Sequence, residues 1–272
     1  MNTLKILAES LRLLYKQPKV FVPKLLTTFL YTVYAVLSIR LAAELYSTNT
    51  TGELNTLAIK LVLFTVFTFL LYFMDVISYA MYPKIVKDYR SGRSISLIDS
   101  LKNAMRVWKT LLLLAIILFS FMIVISLVFG ILNALGIILD TPLLTALGLL
   151  SAIIIILAFA ILFFFTVPIA VLEKKTAYES MRKSFKLGLE NKNMLFKVNM
   201  LFLALVITTL WLVAKAELSG ETNMPAICFF ITVRLIQALL NTYLNVTNPY
   251  IYVTLHDHRS VQYTLSHEKM RY

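Results

Sequence analysis

The chain of 272 residues is 59% apolar and only 15% charged, with a mean hydropathy of +0.80. A soluble domain of this size carries about 45–50% apolar and about 25% charged residues, so a soluble globule is excluded, and the hydropathy equally excludes a disordered chain. Seven Gly and seven Pro exclude a collagen-like or low-complexity chain, the single Cys228 leaves no internal disulfide framework, and 26 Lys+Arg against 14 Asp+Glu give a net charge of +12.

A helix crossing the hydrocarbon layer needs about 20 mostly apolar residues. In chain order six stretches meet or approach that length: Leu25–Leu41, Ala58–Tyr82, Leu111–Leu139, Leu143–Leu172, Val198–Ala214 and Ala226–Val253. Only Asp140, Thr141 and Pro142 separate the third from the fourth, and a proline that cannot continue the preceding helix marks a tight hairpin there. The first stretch has no clear cleavage site after it and reads as a retained helix. The expected fold is all-α: a polytopic protein of six transmembrane helices in three hairpins, each hairpin preceded by an amphipathic cytoplasmic interfacial helix.

The placement of charge sets the orientation. Of the 26 basic residues only Arg40, Lys60, Lys215 and Arg234 fall near or beyond one side. All others lie in the N-terminal segment, the second-to-third and fourth-to-fifth connections, and the tail. Basic residues in short loops mark the cytoplasmic face, which places both termini in the cytoplasm of a cell-membrane protein. The same asymmetry explains the net charge through attraction to anionic headgroups, so membrane lipids rather than nucleic acid are the expected partners. The sequon Asn49-Thr50-Thr51 falls in an external loop.

Three segments read alike: AESLRLLYKQPK from Ala8, IDSLKNAMRVWK from Ile98 and YESMRKSFKLGL from Tyr178. Each contains an acid, a serine, a Leu or Met and a base, as Glu9-Ser10-Leu11-Arg12, Asp99-Ser100-Leu101-Lys102 and Glu179-Ser180-Met181-Arg182. A proline then follows each serine, Pro83, Pro168 and Pro249, at intervals of 73, 68 and 69 residues. This predicts one membrane domain over 1–272 with internal repeats at about 1–92, 93–173 and 174–258 and a short cytoplasmic tail at 259–272. Helical spacing puts Leu4, Leu7, Leu11 and Leu14 on one face, and Leu97, Leu101, Ala104, Met105 and Trp108 on another. Met181 and Phe185 continue the pattern. Ser96 with Asp99 and Thr176 with Glu179 read as capping boxes.

The sixth stretch carries Arg234, Gln237, Asn241, Asn245 and Asn248, which fall within an arc of about 80° of a helix. Lipid does not tolerate such a stripe. It serves either as interhelical hydrogen bonding or as the lining of a cavity or ligand site. Asp75 is a second intramembrane polar residue, eight before Pro83 as Asn241 is eight before Pro249. That spacing predicts that Asp75 faces the Asn241 level, with Arg234 about 10 Å further along the helix. A buried carboxyl there pairs or stays neutral.

No catalytic residue, cofactor or metal site is expected. Walker, dinucleotide, HExxH and G-x-S-x-G motifs are all missing from the sequence. The His256-Asp257-His258 cluster with His267 lacks the spacing of a known metal geometry and reads as tail.

The stretch TVPIAVLEKKTAYESMRKSFKLGLENKNMLFKV, Thr166–Val198, resembles a segment of a broad prokaryotic and archaeal group of six-span membrane proteins of unknown function. That group is related to the membrane domain attached to some glycerophosphodiester phosphodiesterases. The matching residues are Pro168, Glu173, Ala177, Ser180 and Ser184, and LRLLYKQPKVFVPKLL, Leu11–Leu26, is similar to the group's start. The resemblance implies a membrane module and carries over no catalytic residue. The expected function is a non-enzymatic multi-pass module acting with lipids or in a partner complex. The alternatives are a permease subunit of an ABC-type exporter, which needs a separate ATPase, and, less favoured, an integral-membrane enzyme.

Overall fold

The computed structural model describes residues 3–47, 51–218 and 224–269. Asn49 and Thr50 of the sequon lie outside the described residues. Among the described residues ten α-helices follow in order: α1 (Thr3–Lys16), α2 (Val22–Ser47), α3 (Thr51–Arg90), α4 (Leu97–Met105), α5 (Trp108–Ile138), α6 (Pro142–Leu162), α7 (Thr166–Glu173), α8 (Ala177–Glu190), α9 (Lys192–Leu218) and α10 (Met224–Lys269). A 3-10 turn, Pro18–Phe21, joins α1 to α2, and there is no strand among the described residues.

The protein is therefore all-α, and its helices have the length and composition of membrane spans. Five segments among the described residues meet that criterion: Ala58–Arg90, Trp108–Ile138, Pro142–Glu173, Lys192–Thr209 and Cys228–Asp257. Helices that are apolar all round must be buried in protein or in lipid. Here large side chains such as Val62, Leu63, Ile123, Val124, Ile154 and Ile155 stand exposed along these spans, as a hydrocarbon solvent allows. The protein core lies elsewhere, around Leu13, Val20, Tyr82, Ile85, Leu111, Phe165, Ile169, Leu195 and Ile251, all nearly fully buried.

Two element bounds differ from those the sequence predicts. The fourth apolar stretch, Leu143–Leu172, is interrupted between α6 and α7 at residues 163–165. Pro168 is the physical reason, because it has no N–H to offer the carbonyl four residues earlier, that of Phe164. The Asn248 side-chain amide donates to that carbonyl instead, at 2.6 Å. The Ser184 hydroxyl donates to the Leu162 carbonyl at 3.1 Å and accepts from the Phe165 N–H at 3.0 Å. The sixth stretch, Ala226–Val253, likewise ends short of its helix, since the α10 backbone continues helical through Pro249 to Lys269.

The short helices α1, α4 and α8 carry the three similar segments. Ser10, Ser100 and Ser180 are all fully buried, while Arg12, Asp99, Lys102, Glu179 and Arg182 are exposed. Glu9 is partly buried, 4.0 Å from Arg12. Helix α1 packs on α10, α4 on α3, and α8 on α6 and α7. The seating face overlaps only in part with the one the apolar spacing predicts. Leu4, Leu11, Leu101, Met105, Trp108 and Phe185 are exposed, while Leu14 and Ala104 are buried and Leu7, Leu97 and Met181 pack on the core, so each predicted face is seated along one edge only, beside Ile6, Ser10 and Leu13 of α1, Ser100 of α4, and Ser180, Ser184, Leu187 and Gly188 of α8. Small side chains let helices approach closely, as they do between spans, and the rest of each apolar face stays exposed.

Only one of the two expected capping boxes is complete. Thr176 and Glu179 satisfy each other's backbone N–H groups, at 3.1 and 3.4 Å, whereas Ser96 accepts from the Asp99 N–H without a reciprocal bond. The Thr176 backbone N–H, and after it the Thr176 side chain, hold the Glu179 carboxyl below the usual carboxylate range. A carboxyl depressed in the fold contributes stability above its unfolded pKa and loses it as pH falls through the folded value. Thr176→Ala is expected to cost about 1 kcal/mol. In melting curves taken across pH, the difference between wild type and Thr176→Ala should shrink on acidification.

Candidate functional site: a polar groove among the spans

The groove forms where α2, α3 and α10 pack together. Helix α2 contributes Lys24, Thr28, Tyr31, Tyr34, Ala35 and Ser38 to its lining. At 100° per residue these positions occupy an arc of about 120°. Helix α10 runs antiparallel and contributes Arg234, Gln237 and Asn241, and Asp75 projects from α3 between them. The groove is open on one side and has a volume of about 460 Å³.

Asp75 accepts a hydrogen bond from the Lys24 ammonium at 2.5 Å, and the two side chains are only 26% and 9% exposed. The pair answers the cost of burying either charge alone. Arg234 donates to the Gln237 side-chain oxygen at 3.0 Å and lies 5.1 Å above the Phe230 ring. Tyr34 and Thr68 share a hydrogen bond at 2.7 Å, and Tyr34 stacks on Phe64, fixing the α2–α3 wall. Below the groove the Tyr82 hydroxyl donates to the Val20 carbonyl at 3.3 Å, tying the 3-10 turn before α2 to the same helix that supplies Asp75.

The expected polar stripe thus divides. Arg234, Gln237 and Asn241 line the groove, as does Asp75, so the acid and the Asn241 level face one cavity. Asn248 caps the freed Phe164 carbonyl, while Asn245 is partly buried with no described partner for its amide nitrogen. Both uses of a polar stripe, lining and interhelical hydrogen bonding, therefore occur on one helix. Charge placement along the sequence groups Lys24 with the basic N-terminal residues and does not reveal its role at the groove. A signal for that role exists in the spacing of Lys24, Thr28, Tyr31 and Ser38, which fall on one face of the first apolar stretch.

The remaining sequence candidates lie apart from the groove. His256 and Asp257 lie beyond Pro249 on α10, where the Arg90 guanidinium pairs with Asp257 at 2.9 Å. No group of three or more metal-ligating side chains occurs among the described residues. Cys228 is exposed at the start of the last span.

Together the fold and the groove define a helical multi-pass membrane protein with a charged, polar recess between three of its helices. Comparison with protein-family profiles, with curated proteins and with solved structures gives no match for the chain.

Proposed function

We propose that the protein is a non-enzymatic lipid-binding module of the cell membrane, which holds the polar part of an amphiphile in the groove between α2, α3 and α10. The observation that carries this reading is the polar lining itself. Two antiparallel helices turn polar arcs toward each other within apolar spans, around a buried ion pair. A recess of about 460 Å³ has room for a headgroup and its water, while the apolar outer surfaces of the spans accommodate the tails.

The wider reading supports this role. With α2, 26 residues long, taken as the first span, the protein crosses the membrane six times with both termini cytoplasmic. Three similar units of an interfacial helix and a hairpin make up the chain. The seats of α1, α4 and α8 favour that repeat, because each buries its serine and packs on a proline-containing helix, α10, α3 and α7 respectively. The likeness of Thr166–Val198 to six-span prokaryotic proteins belongs to the same proposal. The basic loops then rest on anionic headgroups of the inner leaflet.

Native mass spectrometry of the protein released from native membranes tests the reading. Wild type is expected to carry a bound amphiphile, and a Gln237→Leu/Asn241→Leu variant to carry markedly less while melting within a few degrees of wild type. Equal retention by both would remove the groove as the binding site, and a stoichiometric ATPase in the wild-type sample would replace this reading with that of a permease subunit.

A further inference from the structure

A second cavity, of about 520 Å³, opens at the basic end of the bundle, where α3, α7 and α10 converge beyond their prolines. The positions four residues after Pro83, Pro168 and Pro249 are Lys87, Leu172 and Val253, and all three line it. Leu172 and Val253 provide an apolar wall. Arg90 and His256, each seven residues after a proline, also line it, with Ser91 and Asp257 one position further on. Three segments in equivalent register thus present one ring of side chains to a shared space.

Two cations, Lys87 and Arg90, and two acids, Glu173 and Asp257, line this space. Glu173 accepts from the Lys183 ammonium at 2.5 Å and from the Tyr252 hydroxyl, and lies 3.2 Å from the Lys175 ammonium. Asp257 receives Arg90. Arg90 is further held by a hydrogen bond to the Thr254 hydroxyl and by the face of the Tyr250 ring, 5.4 Å from its guanidinium carbon. Both carboxylates are therefore engaged, Glu173 by Lys175 and Lys183 from outside the lining, which leaves Lys87 as the lining cation without an acid partner among the described residues. The Lys87 ammonium has no ion-pair or hydrogen-bond partner among the described residues, and the residue lines the cavity while remaining exposed. Arg90 is preorganised beside it.

We propose that this cavity is a binding site for a phosphate group, with Lys87 and Arg90 as its principal contacts and Ser91 and His256 as additional hydrogen-bond donors. Cations positioned by neighbouring contacts form charge-assisted bonds to phosphate oxygens without a further ordering cost. The phosphate arrives either on a lipid headgroup of the adjacent leaflet or free in solution. The site is separate from the groove around Asp75, and stands or falls independently of it.

The test uses the full-length protein in two arms. Inorganic phosphate is titrated onto protein in nanodiscs of phosphatidylcholine alone, and in the second arm phosphatidic acid is introduced into those nanodiscs, with the rise in melting temperature read in both. Saturable stabilisation in the first arm identifies soluble phosphate, and in the second arm alone a lipid phosphate. In either case Lys87→Gln is expected to weaken binding about tenfold, with its ligand-free melting temperature unchanged. Lys102→Gln, on the exposed face of α4, should leave binding intact. Absence of saturable stabilisation in both arms overturns the proposal, as does an equal loss in the Lys87 and Lys102 variants, which indicates diffuse surface charge.

Discussion

Asp75→Leu is expected to lower the stability of the detergent-solubilised protein by about 3 kcal/mol, and Lys24→Met by a similar amount, because each leaves an uncompensated charge in a poorly hydrated place. Lys24 is 9% exposed and its ammonium lies 2.5 Å from the Asp75 carboxylate. Neither charge has a second opposite partner among the described ion pairs. The double variant Lys24→Met/Asp75→Leu removes both charges together and is expected to recover most of the loss, as apolar replacements of buried pairs do. Melting curves of the four proteins form a double-mutant cycle. A double variant whose loss equals the sum of the two single losses would show that the two side chains do not stabilise each other. A large coupling would establish that the groove is built around a pair.

The second large effect is expected at Gly188. A Cβ there would stand 2.7 Å from the Ile161 carbonyl oxygen and 3.0 Å from the Leu162 Cα. Both obstacles are backbone, so a rotamer change cannot relieve them and α8 must lift from its seat. Gly188→Ala is expected to cost about 3 kcal/mol, at the upper end of overpacking penalties. Gly130→Ala provides the contrast, since nothing lies within 4 Å of the place its Cβ would take and alanine favours the helix. Ser184→Ala, one turn from Gly188, removes the acceptor of the buried Phe165 N–H and should cost about 1–3 kcal/mol. Faster hydrogen exchange at residues 163–165 in both α8 variants, without change in α5, would locate the damage at the junction of α6 and α7. Uniform exchange throughout would refute that location.

Composition alone carries the helical, membrane-crossing class, because long apolar runs leave a backbone little choice but to satisfy itself internally. The short helices are legible from their spacing and caps, but the face they seat is so only in part. Leucine spacing describes an apolar surface without telling whether protein or lipid covers it, and here the serines and Gly188 meet the bundle. Asp75 and the upper stripe are legible as partners in depth, since register along helices follows from residue counting. Lys24 is not, because a lysine near a span end reads equally as a headgroup contact or as a buried counter-charge. The break at 163–165 lies in a run of three phenylalanines with no Gly or Pro. Its cause, Pro168, is downstream, and its stabilising partners, Ser184 and Asn248, are remote in sequence.

Helix α1 is made well before α10, yet it rests on it. Its buried serine and Leu13 consequently lack their seat on α10 until that helix has been made, and Tyr243 can donate to the Leu7 carbonyl, at 3.4 Å, only after that point. Nascent chains truncated before α10 leave an apolar helix without a berth at the membrane surface, a ready flag for quality-control proteases.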